Sequence, residues 1–274
     1  MSENSDNLTR FRATIQYDGT DFHGSQVQPE VRTVQGELET ALSRLLDRPT
    51  RVDLAGRTDT GVHATAQEIA FDAPPSWHSS DLRRGLTALL PPDVEVGDPR
   101  QRPDGFHPRF DADRRRYVYA VAPGTAGESP FLRRYAWRTD ARGGLLLGEV
   151  ERSVERLSAL AALIPGQRDF SGFAKAGQPE RGVECGVESA TWRTDAGGRL
   201  LFEIVANRFL HHMVRYLVGT MVEIAAARRD ETDMAAILAV ETPSRPVFPA
   251  PPGGLYLAGV RYPDGWNREA EAPW

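Results

Sequence analysis

Residues Gly56-Arg57-Thr58-Asp59-Thr60-Gly61-Val62-His63-Ala64 set one carboxylate between two glycines, with a cation two positions before it and a histidine four after. Glycine permits backbone angles that a β-carbon forbids, so such a stretch can aim Asp59 away from the strands around it. A carboxylate held this way can serve as a nucleophile or as a base. The plainer alternative is turn chemistry, because Asp and Gly also populate ordinary connections. Asp59-Thr60-Gly61 also matches the triplet of aspartic proteases, in which two aspartates share a proton. The chain contains this triplet once. A protease would therefore need a homodimer to bring up the second carboxylate.

A second group of chemically capable residues falls near position 210. With 100° per residue, Phe209, Leu210, Met213, Val214, Leu217, Val218, Met221 and Val222 fill one apolar arc of a helix predicted over 208–228. His211 and Arg215 sit one turn apart at the border of that arc. A border arginine either lays its stem on the core with its head in water or turns the guanidinium towards a carboxylate. His211 and His212 would point about 100° apart on such a helix, a poor arrangement for one metal ion. Tyr117 and Tyr119 fall on one face of a strand over 114–120, where tyrosines more often pack than react.

The elements that must position these residues follow from periodicity. Phe11 to Tyr17 alternates as a first strand and Asp18-Gly19 turns it. Phe22 to Pro29 reads as a loop, and Thr33 caps a helix whose apolar face is Val34, Leu38, Ala41, Leu42, Leu45 and Leu46. Val52 and Leu54 alternate with polar residues before the Asp59 stretch, as Ile69 and Phe71 do after it. Both flanks therefore read as half-buried strands. A helix over 81–90 stops at Pro91-Pro92, and a strand starts at Val94. Further on come a helix over 145–163, a turn at Asp169–Phe173, a hairpin around Gly197-Gly198 and a closing strand from Gly254. This order predicts an α+β fold of two antiparallel-sheet halves, 10–105 and 106–263, between disordered tails at 1–9 and 264–274.

Composition narrows the classes. With 274 residues, 40% of them hydrophobic, the chain can bury a substantial core. No run approaches the ~20 apolar residues that span a bilayer. The polar start carries no secretory signal, and Cys185 stands alone, so no intrachain disulfide or multi-cysteine zinc site is expected. These features place the protein in the cytoplasm. The formal charge of -5 counts against nucleic-acid binding. Its distribution counts for it: residues 100–138 hold nine arginines against Asp104, Asp111, Asp113 and Glu128. A basic zone on an acidic body can steer a phosphate backbone to one face. Lys175 is the one lysine in the chain.

Gly-Arg-Thr-Asp-x-Gly-Val-His-Ala resembles the signature of the TruA family of tRNA pseudouridine synthases, with Thr60 where the family more often has Ala. Four further stretches resemble that family in the same order. They are Phe106-His107-Pro108-Arg109-Phe110 with Arg115-Arg116-Tyr117-Val118-Tyr119, then Asp169-Phe170-Ser171-Gly172-Phe173, Asn207 to Arg215, and Gly254-Leu255-Tyr256-Leu257. Arg181 matches a position where the family carries a basic residue. One departure stands out: Ser25 replaces the aromatic of the family's Gly-Trp-Gln.

The resemblance covers residues 11–262 and implies the pseudouridine synthase catalytic fold, two related halves joined around a central cleft. It implies isomerisation of uridine to pseudouridine at positions 38 to 40 of the tRNA anticodon stem-loop, by a homodimer and without a cofactor or metal. It also implies Asp59 as the catalytic residue, Arg215 as its ion-pair partner and Tyr117 packed against the target nucleotide. Leu255 would line the uracil pocket. Arg57 would fill the gap left by a flipped base, and Arg109, Arg181 and His211 would bind substrate. An RNA-binding protein without catalysis remains the alternative from another class, beside the protease.

Overall fold

The structure, a computed structural model, describes residues 7–139, 150–175 and 182–267. Two compact units divide it: residues 1–113 with 257–274, and residues 114–256. The division thus falls after Asp113 rather than before Phe106, and the closing strand returns to the first unit. Side chains explain this: Phe106 packs on Tyr262 with ring centroids 5.6 Å apart, and the Tyr262 hydroxyl donates to the Pro108 carbonyl at 2.8 Å.

The first unit contains β1 (Thr9–Tyr17), α1 (Val34–Leu46), β2 (Asp53–Leu54), β3 (His63–Ala73), α2 (Ser79–Leu89), β4 (Val94–Val96) and β5 (Arg100–Arg102). β1 pairs antiparallel with β3 in a register that sets Phe11 opposite Phe71, and their rings stack at 5.9 Å. β4 and β5 pair with the other edge of β1, and β2 with β3. Helix α1 starts where expected, with the Thr33 hydroxyl accepting from the Gly36 amide at 3.3 Å. Helices α1 and α2 approach closely at Gly85, where a β-carbon would lie 2.4 Å from Leu45 Cδ1.

Strand β3 differs from the half-buried strand expected. Ten of its eleven residues are buried, Gln67 and Glu68 among them. Burial of Glu68 is tolerable because its carboxylate is fully engaged: it pairs with Arg12 and accepts from Thr14 and from Asn267. The Arg12 guanidinium in turn lies 4.2 Å from the Tyr262 ring centroid. A buried charge survives only with such partners, and all of them lie outside the local sequence.

The second unit contains β6 (Arg114–Pro123), α3 (Gly124–Glu128), β7 (Trp137–Thr139), α4 (Val150–Ala161), β8 (Gly166–Asp169), β9 (Glu184–Thr194), β10 (Leu200–Ala206), α5 (Met213–Ala225) and α6 (Asp233–Leu238). β6, β10, β9 and β8 are neighbours in that order and antiparallel, whereas β7 runs parallel to β6. Trp192 and Phe202 are register partners with rings 5.1 Å apart, and the Trp192 indole donates to Met221 Sδ at 3.5 Å, joining the sheet to α5. β11 (Leu255–Tyr262) begins in this unit and continues into the first, where it neighbours β3 and pairs with β12 (Gly265–Trp266).

The expected helix from Arg208 starts five residues late, at Met213. His212 takes a left-handed backbone, φ 63°, which ends any helix reaching it. Residues before it are engaged elsewhere: Asn207 exchanges two hydrogen bonds with Gly186, at 3.1 and 2.9 Å, and the His211 carbonyl accepts from the Lys175 amide at 3.1 Å. His211 and His212 therefore precede α5, with ring centroids 4.1 Å apart, and the helical angle between them does not apply. The expected helix over 145–163 appears as α4; its first residues lie outside the described ones, as does Arg181.

Candidate active site

Asp59 lies in the irregular segment between β2 and β3 and is half-buried. Its carbonyl accepts from the Val62 amide at 3.1 Å across a tight turn, with Gly61 at φ 77°. That angle is one a β-carbon resists, which explains the second glycine of the motif. At the other end of the segment, Gly56 is held by the buried Gln67 side chain, which accepts from its amide at 3.1 Å and donates to its carbonyl at 2.8 Å. Thr58 is buried, and its hydroxyl shares a 2.7 Å hydrogen bond with the Tyr17 hydroxyl. Burial pushes the Tyr17 phenol up to about 12, against the smaller opposing effect of its bonds to Thr58 and Gln67. Tyr17 is thus a neutral donor or acceptor throughout the physiological range.

The loop after β1 lies backbone to backbone against this segment. A β-carbon on Gly19 would meet the Val62 carbonyl oxygen at 2.0 Å, and one on Gly24 would meet that of Thr58 at 2.9 Å. The Gly19 amide donates to His63 Nδ1 at 3.0 Å and the Gly61 amide to the Phe22 carbonyl at 3.4 Å. His63 is buried, and its Nδ1 also lies 3.2 Å from Asp18 Oδ1. The turn at Asp18-Gly19 and the loop from Phe22 lie where the sequence places them; their close approach to the Asp59 segment, which Gly19 and Gly24 permit, is what the fold adds. Arg57 is exposed beside Asp59. Arg109 belongs to the same unit and is also exposed, its amide donating to His107 Nδ1 at 3.1 Å.

The other candidate residues lie in the second unit. Tyr117 on β6 is buried, its ring edge-on to Phe209 with centroids 4.9 Å apart. Tyr119 is buried too, its hydroxyl donating to the Pro251 carbonyl at 2.7 Å, so it is a packing residue. Arg215 is half-buried in the first turn of α5. Its Nε donates to the Ala250 carbonyl at 2.7 Å, which anchors the stem. Leu255 is buried at the start of β11, after Gly254, where a β-carbon would touch the Tyr119 ring at 2.7 Å. His211 is exposed. Arg114 pairs with Glu188 at 2.9 Å, which offsets one charge of the basic zone within the unit, and Arg115 donates to the Asn207 carbonyl.

A family model described as tRNA pseudouridine synthase matches residues 13–111 and 160–263. The chain belongs to that family. A tRNA pseudouridine synthase A of Latilactobacillus sakei is 39% identical over 255 residues, 92% of this chain and 98% of its own length. One of Roseiflexus sp. is 38% identical over 94% of this chain and 93% of its own, and one of Chlorobium limicola 36% identical over 93% and 100%. Family membership makes the protein an isomerase of tRNA uridine with the pseudouridine synthase fold, and the protease reading of Asp59-Thr60-Gly61 falls with it. No helix among the described residues is long and apolar enough to cross a membrane.

Proposed function

We propose that the protein converts uridine to pseudouridine at positions 38 to 40 of the tRNA anticodon stem-loop, with Asp59 as its catalytic carboxylate. The observation that carries the role of Asp59 is its seat: the one carboxylate in a segment held at Gly56, Thr58 and Gly61 by hydrogen bonds from elsewhere. A side chain on so constrained a backbone is ready for reaction without reorganisation.

The reaction breaks the bond from uracil N1 to ribose C1′, turns the base over and joins C5 to C1′. The hydrogen on C5 leaves as a proton, and N1 gains one. Oxidation state is conserved, so the chemistry requires neither a redox cofactor nor an energy source. Asp59 supplies the negative charge, as nucleophile or as base. In this proposal the terminal nitrogens of Arg215 pair with it and keep it ionised. Tyr117 packs against the target base and Leu255 shuts water from the uracil. Arg57 enters the gap in the stack, while Arg109, Arg181 and His211 contact the RNA.

The same proposal has the protein act in the cytoplasm as a homodimer that holds one tRNA across both subunits. Affinity then falls steeply with added salt, as arginine contacts to phosphate require. Full activity from a monomer in sedimentation would remove the dimer.

Tritium release tests the function. Transfer RNA carrying tritium at uracil C5 should release it to water with this protein alone, and chelator should not stop the reaction. Release should end when the uridines at 38 to 40 are all replaced by cytidine. Retention of tritium on a folded tRNA with those uridines unmodified would overturn the proposal, and release that survives their replacement would overturn the assigned positions.

A further inference from the structure

We propose that Ser25 is the positioning residue for Asp59, a role that rests on Asp59 being the catalytic carboxylate. Ser25 is fully buried. Its amide donates to the Thr58 carbonyl at 3.0 Å, and its Oγ accepts from the Thr58 amide at 2.9 Å. One residue thus holds both backbone polar groups of the residue immediately before Asp59.

Peptide planarity turns those two bonds into a constraint on Asp59. The Thr58 carbonyl and the Asp59 amide share one rigid plane, and the Thr58 amide lies in the plane before it. With both planes anchored, the backbone angles of Thr58 are set and the Cα of Asp59 has one place to be. The turn that joins the Asp59 carbonyl to the Val62 amide then sets the next plane. These backbone bonds set where the Asp59 side chain starts and leave its own torsions to other contacts.

The clamp is itself anchored. The Ser25 carbonyl accepts from the Gln35 amide at 2.9 Å, at the start of α1. Gly24, at φ 93°, lets the two backbones approach, since a β-carbon there would sit 2.9 Å from the Thr58 carbonyl oxygen. The Tyr17 hydroxyl holds Thr58 from its side chain. None of these groups substitutes for the serine oxygen, because the Thr58 amide needs an acceptor and is buried.

Chemistry also separates this role from the aromatic that the family generally carries at the same position. An indole nitrogen only donates, so a tryptophan side chain cannot accept from the Thr58 amide. Serine offers an acceptor where the tryptophan side chain has none.

Three substitutions in the full-length protein test the clamp, with single-turnover rate at saturating tRNA, tRNA affinity and melting temperature read for each. Ser25→Ala leaves the Thr58 amide without an acceptor. Ser25→Cys keeps the site filled with a slightly larger atom that accepts poorly, and its melting temperature shows whether it folds, which guards against a misfolded alanine variant. Ser25→Thr keeps the oxygen. The proposal expects Ser25→Ala and Ser25→Cys to slow the chemical step by about 10- to 100-fold, the effect of a displacement near 1 Å at the reacting group. Affinity for tRNA should be unchanged, and Ser25→Thr should recover most of the rate. Full turnover in folded Ser25→Cys overturns the clamp, as does a loss of rate that tracks loss of binding. Asp59→Asn, measured alongside, separates the two readings: if it is inactive while Ser25→Cys is fully active, only the clamp fails. If Asp59→Asn retains turnover, the assignment of Asp59 fails.

Discussion

Arg215 and Ala250 are bonded to each other twice: the guanidinium Nε donates to the Ala250 carbonyl at 2.7 Å, and the Ala250 amide donates to the Arg215 carbonyl at 2.9 Å. A helix of thirteen residues is thereby tied near its start to a segment 35 positions downstream. The tie takes up one of the three nitrogens of the fork, and the function proposed above assigns the terminal pair to Asp59. Lysine has a single rotating ammonium and cannot do both. With Arg215 as the partner proposed for Asp59, Arg215→Lys should behave much like Arg215→Ala, with turnover lowered by roughly 100-fold, the order lost when one preorganised donor is removed. Single-turnover rates and filter binding of tRNA check this. Equal losses of rate and affinity would mark Arg215 as a phosphate contact instead.

Gly219 sits one turn further along α5, and a β-carbon there would lie 2.4 Å from the Phe248 carbonyl oxygen and 3.2 Å from the Ala250 amide. Alanine is worth about 1 kcal/mol over glycine in a helix interior. Overpacking against a backbone costs about 1–3 kcal/mol and should prevail. Gly219→Ala is expected to lower the melting temperature and to slow turnover by displacing the acceptor of Arg215. A variant with raised melting temperature and full activity would show that the 248–250 segment yields.

Arg229 has a fully buried side chain that bonds to Glu223 at 2.8 Å, Asp233 at 2.7 Å, and the Arg245 and Pro246 carbonyls. Arg229→Met should destabilise the protein by about 3–5 kcal/mol, because Asp233 is left buried with its cation gone. Denaturant midpoints measure the loss. Adding Asp233→Leu to the first change should restore part of it; a purely additive double variant would mean the pair is uncoupled.

Tyr17 carries a pH signature. Its phenol is pushed by burial from 10.0 up to about 12. Between those values the unfolded chain gives up a proton that the folded one keeps. Stability should accordingly be complete below pH 10 and fall as pH rises towards 12, with a slope from this group of at most about 1.4 kcal/mol per pH unit. Tyr17→Phe should flatten that slope in urea titrations at alkaline pH. It should also weaken the fold at neutral pH by about 1 kcal/mol, the worth of the lost bond to Thr58. An unchanged alkaline slope would count against a phenol held neutral by burial.

Asp59→Asn preserves the shape of the side chain and removes its charge. The expected result is loss of turnover with tRNA binding intact, read as tritium retention beside an unchanged binding isotherm. Residual turnover in protein purified free of wild type would refute the catalytic role.

Local chemistry made much of this legible in the sequence. Alternation and capping placed β1, α1, β3 and the β9–β10 hairpin, because period and terminal residues act over a few positions. The motif around Asp59 read as an irregular segment because Gly56 and Gly61 sit within it. Tertiary structure decided the rest. Whether 208–212 would be helical depended on Asn207 meeting Gly186 and on Lys175 meeting His211, partners 21 and 36 positions away. Glu68 is one of the polar residues that alternate with Ile69 and Phe71, yet Arg12, Thr14 and Asn267 converge on it and make its burial affordable. Ser25 read as a missing aromatic. Only the folded chain shows its oxygen against the Thr58 amide, because a hydrogen bond between residues 33 positions apart leaves no trace in the periodicity of either.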